Sequence, residues 1–161
     1  MQEFRHKVIG IIRSPFTRPE GTPIQPPAGA GVAGTVEVLP EYTDGLADIK
    51  GFSHLILIYQ LHLIKATSLT VKPFLDNVNH GVFATRSPGR PNRIGLSIVR
   101  LTGVKGNVLQ IEDVDIVDGT PLLDIKPCVP EFDQHADCRI GWMTNNVSKL
   151  KATRDDGRFI S

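Results

Sequence analysis

The sequence predicts an all-β protein, a β-barrel or a β-sandwich, with one or two short helices. Short apolar segments rich in β-branched and aromatic residues recur along the chain, and turns separate them about every eight to twelve residues. We find no repeat of about 30 residues and no regular strand–helix alternation, so a parallel α/β sheet is not expected. With 161 residues, 40% of them hydrophobic, the chain is expected to form one domain over 1–161.

The first half of the chain predicts three strands and one short helix. KVIGIIR (7–13) is an opening strand, and TVEVLP (35–40) is a second strand ended by a proline. TDGLADI (43–49) is a short helix with Thr43 as its N-cap. FSHLILIYQLHLI (52–64) is a long apolar run and is expected to be the central strand.

The second half predicts a series of shorter strands and a polar tail. The strands are LTVKPFL (69–75), GVFATRS (81–87), IGLSIVRLTGV (94–104), NVLQIEDVDIV (107–117) and PLLDIKPCV (121–129). Lys105-Gly106 is of hairpin type, and Asp118-Gly119 is a strong turn signal. The tail (130–161) is expected to contain a short helix near Asn146–Thr153, with Asn146 as its cap.

A long loop (14–34), rich in proline and glycine, separates the first two strands. Gly29, Gly31 and Gly34 in it have the G-x-G-x-x-G spacing of a dinucleotide-binding loop. That motif needs a strand before the glycines and a helix after them. Here five prolines precede them and an alternating β pattern follows, so the dinucleotide interpretation is rejected. A loop of this length in a compact domain is usually functional or mobile.

Composition and charge exclude several classes of protein. No apolar run approaches the roughly 20 residues that span a bilayer, and the N-terminus lacks a signal-peptide pattern, so we expect a cytoplasmic protein without membrane association. With a net charge of +1 the protein as a whole is not strongly basic, as many nucleic-acid-binding proteins are, but a local basic patch is still compatible with this charge. Cys128 and Cys138 are expected to be free thiols, and their spacing fits no zinc site. We therefore expect no metal.

The densest chemical signal is the basic loop GVFATRSPGRPNRIG (81–95). It holds Arg86, Arg90 and Arg93 and no acidic residue. Two prolines and a glycine between the arginines exclude a helix and predict a rigid, exposed loop. Such a loop suits a carboxylate or a phosphate, because a planar guanidinium binds two oxygens at once. A solvated hairpin tip is the alternative.

A second cluster, DVDIVDGTPLLDIKP (113–127), is acidic. Its aspartates fail the register of a calcium-binding EF-hand loop, and the apolar residues between them alternate as in a strand. The four are Asp113, Asp115, Asp118 and Asp124. Asp118 is placed to accept hydrogen bonds from amine or hydroxyl groups. The alternative is that Asp118-Gly119 is simply a turn without a role in binding. The residues alone therefore predict a β-rich domain for a small zwitterionic ligand or an RNA.

Four motifs, in order along the chain, resemble the TsaA-like family, also called TrmO. They are IGIIRSPF, FSHLILIY, GVFATRSPGRPNRIGLS and DIVDGTPLLDIKP. The resemblance covers roughly residues 7–130 and, in the tail, Arg158-Phe159. It implies a single-sheeted β-barrel that binds S-adenosylmethionine, works as a homodimer and methylates tRNA. The implied target is the N6 nitrogen of a threonylcarbamoyl-adenosine just 3′ of the anticodon.

The resemblance also implies the site residues. Cofactor contacts are expected in the long loop, near the end of the central strand, beside the basic loop and in the acidic turn: Ile24, Gln25, Pro26, His62, Leu63, Arg86, Leu96, Asp118, Gly119, Thr120 and Pro121. Asp118 or His62 is expected to remove the proton of the methylated nitrogen. Arg90 and Arg93 are assigned to the RNA backbone.

The sequence departs from the family pattern at Ile24, Arg93 and Cys128, and it stops at Ser161, where many members have a C-terminal extension. Two alternative functions stay open. One is the same chemistry on another small acceptor, and the other is a non-catalytic barrel that binds RNA or a small ligand.

Overall fold

A computed structural model of the protein describes residues 1–160. The strands are β1 (Gly10–Arg13), β2 (Gly34–Val38), β3 (His54–Gln60), β4 (Thr70–Val71), β5 (His80–Gly81), β6 (Ile94–Lys105), β7 (Val108–Glu112) and β8 (Thr120–Pro127). One turn of α-helix, α1, covers Pro130–Asp133. Short 3₁₀ helices cover Pro26–Gly29, Pro40–Leu46, Ile49–Gly51, Val82–Ala84, Gly141–Asn145 and Val147–Ala152.

Six antiparallel strands close into a barrel in the order β1-β2-β7-β6-β3-β8, which confirms the predicted architecture. The predicted central strand, β3, pairs with β6 from His54↔Arg100 to Gln60↔Ile94 and with β8 on its other side. β1 closes the barrel by pairing with both β2 and β8. β4 and β5 pair with each other outside the barrel.

Alternate residues of the barrel strands fill its interior. β3 buries Leu55, Leu57 and Tyr59, while the residues between them face outward. The other strands contribute the remaining core side chains, among them Ile12, Val36, Val99, Leu109, Ile111 and Leu122. Each such side chain stabilises the fold by about 1.5–3 kcal/mol relative to its exposed state.

Two predicted strands are largely turns. Of the predicted strand 81–87 only Gly81 lies in a strand, β5, because hydrogen bonds of Thr85 hold the next residues in a turn. The Thr85 hydroxyl donates to the Val82 carbonyl at 2.8 Å and accepts from the Ser87 N–H at 3.1 Å. The predicted strand 69–75 is reduced to Thr70–Val71, since Pro73 has no N–H to donate.

The predicted helices are 3₁₀ rather than α-helical, and neither predicted cap acts as one. The segment that starts at Pro40 has Leu39, not Thr43, at its N-cap position. Asn146 does precede the 3₁₀ helix Val147–Ala152, but its side chain does not cap it. The Asn146 amide instead donates to the Trp142 carbonyl at 3.0 Å.

The long loop and the tail pack against each other. Main-chain hydrogen bonds join the Gly21 N–H to the Asp155 carbonyl at 2.8 Å and the Asp155 N–H to the Thr22 carbonyl at 3.0 Å. Phe159 meets Phe74 edge-to-face at 5.3 Å between ring centroids, and the Arg158 guanidinium lies 4.9 Å from the centroid of the Phe74 ring. The tail is thereby fixed to the end of the barrel where the long loop lies.

Candidate functional site

A cavity of about 680 Å³ opens at the end of the barrel where β1, β3 and β7 end and β2, β6 and β8 begin. Its walls come from the long loop, the segment after β3, the basic loop, the segment after β7 and the tail. Sites for small molecules typically measure about 300–1,000 Å³ and have mainly apolar walls with a few polar groups. The cavity has these properties, with leucines, isoleucines and aromatic rings around a small number of charged side chains.

The cavity brings together most of the cofactor residues that the resemblance implies. Those that line it are Ile24, Gln25, Pro26, His62, Leu63, Arg86, Leu96 and Thr120. Asp118, Gly119 and Pro121 are not among its lining residues. His62 lies beyond the end of β3, exposed on the wall of the cavity. The role of each residue toward a ligand stays a prediction.

Asp118 ties the start of the long loop to the turn before β8. Its Oδ1 accepts from the Ser14 N–H at 3.1 Å, and its own N–H donates to the Phe16 carbonyl at 2.7 Å. Its Oδ2 lies 3.9 Å from Nη1 of Arg13. Gly119 follows in the left-handed region, with φ of +76°, where a residue without Cβ is favoured. These contacts explain the turn signal in the sequence.

The three arginines of the basic loop have different surroundings. Arg86 is exposed, and its Nη1 donates to Oε1 of Gln25 at 2.8 Å, which joins the basic loop to the long loop. Arg90 donates to the carbonyls of Thr85 and Ser87 at 3.1 and 3.4 Å. Its assignment to an RNA phosphate stays a prediction. That contact would have to use the N–H groups of the guanidinium that do not bind these two carbonyls.

Arg93 braces the basic loop against the segment after β3. Its Nη1 donates to the Ile64 carbonyl at 2.6 Å, and its Nη2 donates to the Lys65 carbonyl at 2.7 Å. Both terminal nitrogens of the guanidinium are therefore used within the protein. The assignment of Arg93 to RNA phosphate likewise stays a prediction.

The sequence analysis missed a chain of hydrogen bonds on the cavity wall. The Tyr59 hydroxyl on β3 lies 2.9 Å from Oγ of Ser97 on β6, and the Ser97 hydroxyl donates to Oδ1 of Asp115 at 2.6 Å. Tyr59 and Asp115 both line the cavity. A signal was present, because Ser97 is a polar residue at an inward-facing position between the buried Gly95 and Val99. Asp115 had appeared only as one member of the acidic cluster.

Burial shifts the pKa of both ionisable groups in this series of hydrogen bonds, Asp115 and Tyr59. It raises the pKa of Asp115 to about 7, although the hydrogen bond from Ser97 and the charge of Arg86 oppose the shift. Burial, and next the negative charge of Asp115, raise the pKa of Tyr59 well above its usual value. At neutral pH the phenol is therefore protonated, and the carboxyl group is divided between its two forms.

The tail supplies one side of the cavity, which the sequence analysis did not anticipate. Its contributors are Trp142, Met143, Val147, Leu150, Asp155 and Phe159. Trp142 is held in place by a hydrogen bond from its Nε1–H to the Ala84 carbonyl at 2.8 Å and by stacking on His80, with 4.4 Å between ring centroids. Residues distant in sequence thus form a single wall.

Ser87 is a lining residue of the cavity whose hydroxyl has no internal partner. Among residues 1–160, its hydroxyl is the one fully buried side-chain oxygen or nitrogen that lacks a hydrogen bond. A buried hydroxyl without a partner is costly to the fold. Within the same residues no group of three or more His, Cys, Asp or Glu side chains is arranged to hold a metal ion. None of the described helices is long and apolar enough to cross a bilayer.

Comparisons with known proteins agree on one family. The model of the tRNA-methyltransferase O N-terminal domain matches residues 11–134. A probable S-adenosyl-L-methionine-binding protein of Pyrococcus abyssi is 58% identical over 97% of this chain and 85% of its own length. The tRNA (adenine(37)-N6)-methyltransferase of Escherichia coli is 36% identical over 81% of this chain and 60% of its own length.

A solved structure shows the same fold. The crystal structure of TrmO from Pseudomonas aeruginosa matches with a TM-score of 0.74 and 38% identity, over 88% of this chain and 62% of that chain. The chain therefore spans about three fifths of the length of the Escherichia coli methyltransferase and of the Pseudomonas aeruginosa TrmO chain. It spans most of the length of the Pyrococcus protein.

Proposed function

The chain belongs to the family of tRNA-methyltransferase O N-terminal domains, and we propose that it transfers a methyl group from S-adenosylmethionine to the N6 nitrogen of an adenosine in tRNA. The observation that carries the proposal is the cavity itself. Its volume suits a small molecule, and eight of the residues that the resemblance assigns to the cofactor line it. The names of the relatives support the cofactor and the reaction.

The cavity residues fit the chemistry of this cofactor. S-adenosylmethionine supplies an electrophilic methyl group on a positively charged sulfur, together with an adenine and an amino-acid end. Arg86 is the exposed guanidinium of the wall and suits the carboxylate. Leu63 and Leu96 offer apolar surface for the adenine.

The protein's contribution to the reaction is mainly to hold the two reactants in line. Proximity and orientation supply up to about 7–11 kcal/mol of the barrier in well-oriented intramolecular reactions. The tail forms one side of the cavity and so shields part of it from water. This mode of catalysis needs no nucleophile on the protein.

We extend the proposal to the modified nucleoside and to cytoplasmic tRNA as the partner. The acceptor is a threonylcarbamoyl-adenosine just 3′ of the anticodon, as the resemblance implies. Exposed lysines support the approach of RNA, because Lys149 and Lys151 lie on the 3₁₀ helix whose Val147 and Leu150 line the cavity. A local basic surface of this kind compensates for the net charge of only +1.

A homodimer is also part of the proposal. The outer face of β6 exposes an apolar row, with Ile94 at 41%, Leu96 at 45% and Ile98 at 38% of their surface. Ile56 and Ile58 of β3 pair with Ile98 and Leu96 and extend the row. A contiguous exposed apolar surface is typical of a protein interface. Because Ile94, Leu96 and Ile98 also line the cavity, a second copy on this face would complete the site.

Calorimetric titration of S-adenosylmethionine, followed by transfer of labelled methyl groups to tRNA, tests the function. We expect micromolar binding, about −8 kcal/mol, to the wild type and weaker binding to Arg86→Ala. Arg139→Ala, an exposed arginine outside the cavity lining, is the matched control and should bind as the wild type does. Absence of binding to the wild type contradicts the proposal, and binding without transfer to tRNA leaves a ligand-binding barrel.

A further inference from the structure

Asp115 is a buried carboxyl group on the cavity wall without a cationic partner. Its surface is 9% exposed, and no ion pair within residues 1–160 includes it. Burial of an unpaired carboxylate is costly, so such groups are rare unless they have a partner or a function. Its place on the cavity wall indicates a function toward whatever binds there.

The surrounding residues fix the orientation of this carboxyl group. Ser97 donates to Oδ1, and no side chain of the described residues donates to Oδ2. Ser97 in turn lies 2.9 Å from the Tyr59 hydroxyl. The Tyr59 ring packs against Gly95, its partner across the β3–β6 ladder, where a Cβ would overlap the ring. One oxygen of Asp115 is thus held by the protein, and the other has no side-chain donor.

We propose that Asp115 is the proton acceptor of the methyl transfer, a role that rests on the proposed function. The N6 lone pair forms a bond to the methyl carbon while the carbon–sulfur bond breaks and its electron pair goes to sulfur. The proton of N6 passes to Oδ2 of Asp115 and from there to solvent. Ser97 and Tyr59 are positioning residues that keep the carboxylate directed at the acceptor.

The two residues first considered for this role are less suitable. The Asp118 carboxylate already accepts from the Ser14 N–H and lies near Arg13, outside the cavity lining. His62 is exposed at the cavity wall, where solvent competes for the proton. Asp115 is instead enclosed within the cavity wall.

The pH behaviour supports the assignment. Burial raises the pKa of Asp115 to about 7, near the pH at which a cellular enzyme operates, which is where a general base is most efficient. The groups that face Asp115 are Tyr59 on β3, Ser97 on β6 and Arg86 from the basic loop. A base is active when deprotonated, so the rate of methyl transfer should rise with pH and level off above about 7.

Asp115→Asn tests the role, because it removes the base and keeps the size of the side chain. We expect its affinity for S-adenosylmethionine to stay within about threefold of wild type, and methyl transfer to tRNA to fall by about 10²–10⁴-fold. Asp124→Asn is the matched control, since Asp124 pairs with Lys126 outside the cavity lining, and it should transfer as the wild type does. Transfer by Asp115→Asn at the wild-type rate would overturn the role, as would loss of cofactor binding together with transfer.

Ser97→Ala provides a second measurement that holds even if Asp115→Asn fails to fold. The Ser97 hydrogen bond lowers the pKa of Asp115, so its removal should move the midpoint of the pH–rate profile to higher pH. An unchanged midpoint would contradict the proposal. Absence of transfer by the wild type overturns the proposed function and this role with it, whereas normal transfer by the Asp115 variant overturns the role alone.

Discussion

Gly95 allows the Tyr59 ring to lie against the backbone of β6, and its replacement by alanine tests this packing. A Cβ at Gly95 would overlap atoms Cε2 and Cζ of the ring, so the ring must move. Such overpacking of a core costs about 1–3 kcal/mol. A displaced ring also loses the hydrogen bond to Ser97, which contributes about 0.5–1.5 kcal/mol. The two costs together are about 1.5–4.5 kcal/mol.

Urea and thermal unfolding followed by circular dichroism measure this loss of stability. For a chain of this length a loss of about 1.5–4.5 kcal/mol corresponds to a fall in Tm of about 3–18 °C. Gly51→Ala is the matched control, since a Cβ there meets no atom within 4 Å. Its free energy of unfolding should stay within about 0.5 kcal/mol of the wild type.

A double-mutant cycle separates the overlap with Tyr59 from other effects at Gly95. In a Tyr59→Leu background the ring is absent, and the added methyl group should cost less than about 1 kcal/mol. Equal losses in both backgrounds would refute the reasoning, as would a Gly95→Ala protein as stable as Gly51→Ala. Equal losses would mean that the cost does not come from the Tyr59 ring, and a Gly95→Ala protein without a loss would mean that the strand moves to accommodate the methyl group.

Two further predictions concern the tail and the outer face of β6. Trp142→Ala removes a cavity wall together with its stacking on His80, and we expect about tenfold weaker binding of S-adenosylmethionine, or about 1.4 kcal/mol. Calorimetry against the exposed Phe132→Ala checks this, and equal affinities would contradict it. Ile98→Glu places a charge in the exposed apolar row and should convert the proposed dimer to a monomer in analytical ultracentrifugation. A wild type that already sediments as a monomer would contradict the dimer.

Most strands of the barrel could be predicted from the sequence because buried and exposed positions alternate along them, whereas the choice of a barrel over a sandwich came from the resemblance to a family. β6 is a clear case, with buried Gly95, Ser97 and Val99 separated by exposed residues. β3 was harder, since its outward-facing isoleucines are apolar as well and hide the alternation. Its role as central strand followed from its length and β-branched composition.

Parts of the candidate site could not be predicted, because they depend on strand register and on contacts distant in sequence. Ser97 lies on β6 and Asp115 follows β7, 18 residues further along the chain, so they meet only once these two strands have paired. Trp142 reaches the Ala84 carbonyl from a 3₁₀ segment of a polar tail that carries no strong periodic pattern. The residues of the cavity wall to which we assign the cofactor were expected from the resemblance to a family, not from the physical pattern alone.

The pairing of β1 with β8 has a consequence for the way the protein folds. Ile12 pairs with Thr120, so the barrel stays open until most of the chain has left the ribosome. Until then β1 exposes unpaired main-chain groups along one edge, which is the condition under which strands associate wrongly. Folds closed by such distant contacts form slowly, because a long loop loses entropy before its ends are joined. Closure of this seam is therefore expected to be a late step, and a chain cut before β8 should aggregate rather than fold.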